Sequence, residues 1–202
     1  MKLVCLDLEG VLVPEIWIAF SEAVGIPELR RTTRDEPDYD KLMMFRLAIL
    51  KEHGLKLADI QKVIATIDPL PGAAEFTAAL RQKTQLVILS DTFEQFAAPL
   101  MAKLAYPTLF CNTLETDASG AVTGYRLRQK NGKYHAVKAF KSIGMSVFAA
   151  GDSFNDLAMI EEADAGALFR APPSIRQSHS HIPATETYED FFRLIERFLD
   201  QQ

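Results

Sequence analysis

The sequence predicts an α/β protein: a Rossmann-like open parallel sheet with helices on both faces, a helical cap inserted after the first strand, and a small β-hairpin. Three observations lead there. Apolar runs of strand length recur along the chain, helical patterns separate them, and three of the runs end on polar residues. Such alternation builds a parallel sheet, and ligands of open sheets gather beyond the carboxyl ends of the strands.

The first run, residues 2–8 (KLVCLDL), is apolar from Leu3 onward except at Asp7 and is followed by Glu9-Gly10. That is the pattern of a strand covered on both faces and ending in a turn. Residues 14–71 then show helical periodicity with no strand signal. Pro14 and the breaker cluster Asp68-Pro69-Leu70-Pro71-Gly72 bound this stretch, so residues 14–71 are assigned to a cap and residues 1–13 and 72–202 to a catalytic core. Within the core, residues 85–90 (QLVILS), 108–111, 146–151 (SVFAAG) and 165–169 read as further strands. Helices are expected at 73–83, 94–104, 134–143 and 154–163. Residues 112–128 carry Asp-Ala-Ser-Gly between two β-rich stretches, which is a hairpin signal. A last helix, at about 188–199, packs through its phenylalanines and leucines.

Composition narrows the function. The 202 residues suffice for one core with a small inserted module. A net charge of -5 lacks the basic footprint of a nucleic-acid binder, so a small-molecule partner is expected. The stretch at 3–8 is too short for a signal-peptide core, and no run reaches membrane-spanning length. The only two cysteines, Cys5 and Cys111, sit in apolar runs and read as inert thiols of a cytoplasmic protein. The four histidines are scattered and form no site.

The strand ends carry the chemistry. Asp7 and Glu9 lie two residues apart, so strand alternation aims both carboxylates at one place. One carboxylate can attack phosphorus while the other moves protons. Gly151-Asp152-Ser153-Phe154-Asn155-Asp156 follows another strand and opens a helix. Asp7 and Asp152 are enough carboxylate for Mg²⁺, which takes one or two of them and fills its shell with water and phosphate oxygens. Ser90 can donate to a phosphate oxygen. Lys133 lies at the helix end that disfavours cations, which points to an anionic partner. Each signal also has a plain structural reading: a turn cap for Asp7, helix caps for Ser90, Asp152 and Ser153. Arg46 interrupts the apolar stretch LMMFRLAIL, where a guanidinium either needs an anion or snorkels to water.

In this order on successive strands, Asp7-x-Glu9-Gly10, Ser90, Lys133 and Gly151-Asp152-x-x-Asn155-Asp156 resemble the four motifs of the haloacid dehalogenase-like superfamily, from residue 1 to about 169. The resemblance implies Asp7 as nucleophile and metal ligand, and Glu9 as acid/base with its backbone carbonyl on the metal. It implies Asp152 as a metal ligand, Ser90 and Lys133 as phosphate ligands and Asn155 as a phosphate or positioning contact, with Mg²⁺ as cofactor. The inserted helices are similar to the cap of phosphoserine phosphatases, in which positions resembling Glu15 and Arg46 hold the substrate's amino and carboxylate groups.

The family's usual acid/base is aspartate, one methylene shorter than Glu9. This departure, with the short cap and Met43-Met44-Phe45-Arg46, is similar to a small group of bifunctional phosphoserine phosphatase/homoserine phosphotransferases. The implied donor is phosphoserine, and the acceptors are water and homoserine. Two alternatives are a phosphatase of another small metabolite and a phospho-accepting receiver-like signalling module. The receiver reading fits less well, since receivers carry the phosphorylated aspartate on a middle strand and have no cap. Dehalogenation leaves Glu9 and Asp152 without a task.

Overall fold

The computed structural model describes residues 1–32, 35, 36 and 38–201; Thr33, Arg34 and Pro37 of the expected cap, and Gln202, lie outside the description. Its strands are β1 (Lys2–Leu6), β2 (Gln85–Phe93), β3 (Thr108–Thr116), β4 (Val122–Arg126), β5 (Ser146–Gly151), β6 (Ala165–Phe169) and β7 (Ala184–Thr185). The helices are α1 (Ile16–Val24), α2 (Tyr39–Glu52), α3 (Leu57–Ile64), α4 (Ala73–Lys83), α5 (Glu94–Lys103), α6 (Gly132–Ser142), α7 (Leu157–Glu162), α8 (Pro173–Ser178) and α9 (Tyr188–Asp200). All strands join one sheet in the order β4-β3-β2-β1-β5-β6-β7. Every pairing is parallel except β3 with β4. The winding reverses at β1, which lies between β2 and β5 and so opens a crevice beyond its carboxyl end.

Side-chain alternation divides the interior into two cores. Val4, Leu6, Leu86, Ile88, Phe148 and Ala150 belong to one, and Leu3, Cys5, Val87, Leu89, Val147 and Ala149 to the other. Both faces of the central strands are therefore dry, which is why their sequences are continuously apolar. Phe76 of α4 and Phe191 of α9 close the first core, with Phe191 stacked on Phe76 at 5.2 Å and on Phe169 at 4.8 Å between ring centroids. Ala136 and Val137 of α6, Met159 and Ile160 of α7, and Ile175 of α8 close the second.

The helices between β1 and α4 share the first core through Phe20, Leu29, Met43, Leu50, Ile60 and Ile64. Trp17 of α1 meets the ring of Phe96 in α5 edge-on at 5.3 Å. The chain enters and leaves this segment side by side, with the amide of Leu70 donating to the carbonyl of Leu12 at 2.9 Å. On the far side, Leu57 N–H donates to Gly120 O in the hairpin at 3.0 Å.

Three features depart from the sequence expectation. The run at 108–111 does not stop before the hairpin: β3 continues to Thr116, leaving its parallel partner β2 to pair with β4. No breaker interrupts TLFCNTLET, so the strand supplies the hairpin's first arm. β2 likewise runs past Ser90, but its pairing jumps from Leu89↔Phe110 to Phe93↔Asn112. Residues 90–92 bulge out of the ladder toward the crevice, as bulges beside functional sites do. Finally, the helix expected at 154–163 begins as a 3₁₀ turn, Phe154–Asp156, and the short α8 and β7 follow β6. These elements are too brief to show a period.

Phe191 is fully buried among aromatic rings. Phe191→Ala is expected to cost about 3–5 kcal/mol of unfolding free energy, measured by urea denaturation. A loss under about 1 kcal/mol would mean that α9 does not close the core.

Candidate active site

The site is built from the carboxyl ends of β1, β2 and β5 and the start of α6. The β1–β5 ladder extends one step past β1, with the Asp7 amide donating to Ala150 O at 3.0 Å. This step brings Asp7 beside Gly151-Asp152. Asp7, Asp152 and Asp156 are buried, and each offers a carboxylate oxygen within 4.8 Å of the others. Two glycines make this crowding possible. A Cβ on Gly10, whose φ is +75°, would stand 2.5 Å from Asp152 Cγ, and one on Gly151 would stand 2.1 Å from Asp156 Cγ.

Lys133 reaches from the first turn of α6 into this cluster. Its ammonium lies 2.7 Å from Asp156 Oδ1, 3.0 Å from Asp7 Oδ2 and 3.8 Å from Asp91 Oδ2. Its position at the unfavourable end of a helix is thus explained by buried carboxylates of the protein itself. Burial opposes the charge on Lys133, but Asp156, Asp7 and Asp91 outweigh it and hold the ammonium well above its ordinary pKa. For Asp7 the balance falls the other way. Burial and the neighbouring Asp156 raise its carboxyl well above the usual range despite the lysine, because one ammonium is shared among several carboxylates.

Asp156 is held by several partners at once. Its Oδ2 accepts from Asp152 N–H at 3.1 Å, Ser153 N–H at 3.0 Å and Ser153 Oγ at 2.9 Å. Ser153 and Asp156 thereby form the capping box of the 3₁₀ turn. Ser153 and Asp156, not Asp152, thus form the cap, and the buried group Asp7, Asp152 and Asp156 could hold a cation. Their hard oxygens suit Mg²⁺, and a divalent charge would relieve the repulsion that lifts Asp7. Across the turn, the hydrogen bonds Gly10 N–H to Val13 O and Val13 N–H to Leu8 O leave the Glu9 carbonyl outside the local bridge.

Ser90 is buried, and its Oγ accepts from Thr92 N–H at 3.2 Å. It does not cap α5, whose N-cap is Phe93. Asn155 is exposed at the rim, and its amide donates to Asp91 Oδ2 at 2.8 Å. Glu9 Oε1 accepts from the first amide of α1, Ile16 N–H, at 2.9 Å. Burial and the nearby Glu15 push the Glu9 carboxyl up to about 7, against the pull of Ile16, Arg46 and Lys133.

The helices between β1 and α4 reach this end of the sheet, where Ile16 N–H meets Glu9 and the Tyr39 hydroxyl donates to Asp91 O. Arg46 does not snorkel: it is 6% exposed, its guanidinium lies 4.4 Å from the Trp17 ring centroid, and Nη2 donates to Arg31 O at 2.8 Å. Its Nε is buried without a hydrogen-bond partner. Burial draws its pKa down to about 10 against the attraction of Glu9, Tyr39 and Glu15. Glu15 is the N-cap residue of α1 but makes no side-chain capping bond. The sheet ends thus bring Asp7, Lys133, Asp152 and Asn155 together, Ser90 lines a small pocket with Asp91 and Lys133, and Glu9, Glu15 and Arg46 form a neighbouring group linked by charge.

Three further residues had escaped the sequence reading. Asp156 clamps Lys133 and the 152–153 turn, although it stood within the last motif. Asp91 and Asn112 form the other group: Asn112 is buried, donates to Asp91 O at 3.0 Å and accepts from Arg128 N–H at 3.0 Å. The acid directly after Ser90 was the available signal for Asp91. Nothing local marks Asn112, because its partners are distant in sequence.

A family model described as haloacid dehalogenase-like hydrolase matches residues 1–164. The chain is 59% identical over 193 residues to the phosphoserine phosphatase ThrH of Pseudomonas aeruginosa, covering 96% of this chain and 94% of that protein. It is 57% identical over 190 residues to a phosphoserine phosphatase of Pseudomonas syringae pv. tomato, covering 94% and 80%. Among solved structures, a phospho-aspartyl intermediate analogue of phosphoserine phosphatase superposes with a TM-score of 0.78 at 20% identity, covering 96% of this chain and 98% of that one, a likeness of fold.

Replacing the shared ammonium tests the electrostatics. Lys133→Met leaves Asp7 and Asp156 without their buried cation and is expected to cost about 3–5 kcal/mol near neutral pH. A carboxyl whose folded pKa is raised binds its proton more tightly when folded, so Asp7 stabilises the fold less as pH rises through that pKa. The variant's deficit should therefore shrink as the pH is lowered from neutrality. Thermal unfolding at a series of pH values checks it, and a deficit that grows on acidification would contradict the assignment.

Proposed function

The chain belongs to the haloacid dehalogenase-like hydrolases, and on that premise we propose that it is a Mg²⁺-dependent phosphoserine phosphatase working through a phosphorylated Asp7. We further propose that it passes the phosphoryl group to homoserine as well as to water. Residues 14–71 act as the cap and residues 1–13 and 72–202 as the catalytic core of a cytoplasmic enzyme. Among the described residues no helix is long and apolar enough to cross a membrane.

The observation that carries the reading is Arg46. A buried guanidinium whose Nε has no partner, with Glu15 close by, is arranged to receive a carboxylate while Glu15 receives an ammonium. Those are the two charged ends of an amino acid. The phosphate then points toward the sheet ends, where Ser90, Lys133 and Asn155 donate. Two relatives named phosphoserine phosphatase support the same substrate.

In this mechanism Asp7 attacks phosphorus, the bond to the serine oxygen breaks, and Glu9 gives that oxygen its proton. Water or the homoserine hydroxyl then attacks the aspartyl phosphate, Glu9 takes the proton, and Asp7 is regenerated. Asp7, Asp152 and the Glu9 carbonyl would hold Mg²⁺, which would neutralise charge on the phosphoryl group. Asp156 keeps Lys133 aimed throughout. A carboxyl near pKa 7 suits both proton transfers. Lying against the amide of Ile16, Glu9 is also coupled to the helix that begins the cap.

Phosphorus NMR of the enzyme with O-phosphoserine, Mg²⁺ and homoserine tests the proposal. Phosphate together with phosphohomoserine is expected; phosphate alone would remove the transferase activity, and neither product would remove the substrate. Arg46→Ala should lower kcat/KM for phosphoserine by roughly 10²-fold while sparing an aryl phosphate that lacks a carboxylate. Equal losses on both would refute its role in recognition.

Glu9→Gln should separate the two proton transfers. From nitrophenyl phosphate the nitrophenolate leaves without protonation as Asp7 takes the phosphoryl group, so a burst of nitrophenolate should persist while steady turnover falls by about 10²–10⁴-fold. The variant should also lose the ionisation near pH 7 from its pH–rate profile. Retention of full phosphoserine turnover would exclude Glu9 as acid/base.

A further inference from the structure

Asp91 is a carboxylate in the phosphate-binding end of the site with no place in the reaction described above. It is carried on the bulge that lifts residues 90–92 out of the β2–β3 ladder. Its backbone carbonyl is held from two sides, by Asn112 Nδ2 at 3.0 Å and by the Tyr39 hydroxyl of the inserted helix α2 at 3.3 Å. The side chain, 47% exposed, points toward the two donors that meet a phosphate oxygen in the proposed reaction. The same oxygen, Oδ2, accepts from Asn155 Nδ2 at 2.8 Å and stands 3.8 Å from Lys133 Nζ.

The distances to Lys133 are unequal in an informative way. An ammonium has three protons. Asp156 at 2.7 Å and Asp7 at 3.0 Å take two of them at bonding distance, and Asp91 attracts the third from beyond it. That third proton is the one available to a phosphoryl oxygen. Asp91 therefore occupies, with a negative oxygen of its own, the space between Lys133 and Asn155 that such an oxygen must share.

We propose that Asp91 is a phosphate-release residue: its carboxylate competes for the donors of Lys133 and Asn155, weakens the hold on inorganic phosphate and clears the site after each turnover. The inference rests on the phosphatase reading to the extent that phosphate is the product to be cleared. Asp91 also orients Asn155, so charge and position must be separated. Asp91→Asn keeps an oxygen that accepts from Asn155 and removes the charge, whereas Asp91→Ala removes both.

The experiment is calorimetric titration of inorganic phosphate into the Mg²⁺-supplemented wild-type, Asp91→Asn and Asp91→Ala enzymes, with the phosphate inhibition constant read alongside. Removing one like charge at this range is expected to tighten phosphate binding by about tenfold in Asp91→Asn. The inhibition constant should fall in parallel, with KM for the substrate falling more than kcat changes. Equal or weaker phosphate binding by Asp91→Asn, including no binding by either protein, would overturn the proposal. So would an Asn variant that behaves as wild type while only Ala differs, since Asp91 would then merely orient Asn155. The titration needs no phosphoserine turnover, so a wrong substrate assignment and a wrong role for Asp91 give different results.

Discussion

One buried ammonium organises the functional end of this protein. Lys133 lies within 4 Å of three carboxylates, one just beyond β1, one in β2 and one in a 3₁₀ turn. None of those groups is comfortable in a dry interior alone, and one positive charge cannot satisfy them all. The unequal sharing settles their duties. Asp156, at the shortest distance and with three further hydrogen bonds, is the fixed anchor. Asp7 shares the ammonium at 3.0 Å without the further hydrogen bonds that fix Asp156, and in the proposed mechanism its carboxylate is the nucleophile.

The sheet supplies the precision this sharing needs. β1 lies between β2 and β5, so the residues just beyond each strand face one crevice without any long loop to aim them. Close approach of the carboxylates then depends on missing side chains: Gly10 makes room for Asp152, and Gly151 for Asp156. The bulge in β2 is the third device, since it turns Ser90 and Asp91 out of the ladder and into the site.

Above the crevice, the inserted helices are tied to the core by an apolar interior they share with it and by contacts at the rim. Glu9 belongs to both levels, as its carboxylate receives the first amide of α1 while its backbone follows the nucleophile's strand. A glutamate reaches that amide with one methylene more than the aspartate usual in the family. Tyr39 and Asp91 make the corresponding link from α2 to the β2 bulge.

Much of this was legible before any coordinates. Continuous apolar runs marked the buried strands because both sheet faces are dry, and acids or a serine at their ends marked the site because a parallel sheet exposes only those ends. The four motifs pointed to the strand ends from which Asp7, Lys133 and Asp152 meet, and an arginine inside LMMFRLAIL posed the choice between a buried charge and a snorkelling one that the fold resolves as burial. What the sequence could not carry was partnership across distance. That Lys133 binds Asp156 as well as Asp7, that Ser153 rather than Asp152 shares the capping box, and that Asn112 holds Asp91 all depend on atoms brought together by packing. Local pattern determined the elements and their chemistry, because period and residue type are local properties; tertiary structure alone decided which charge answers which, because Coulomb energy and hydrogen bonding depend on separations in space that no spacing along the chain encodes.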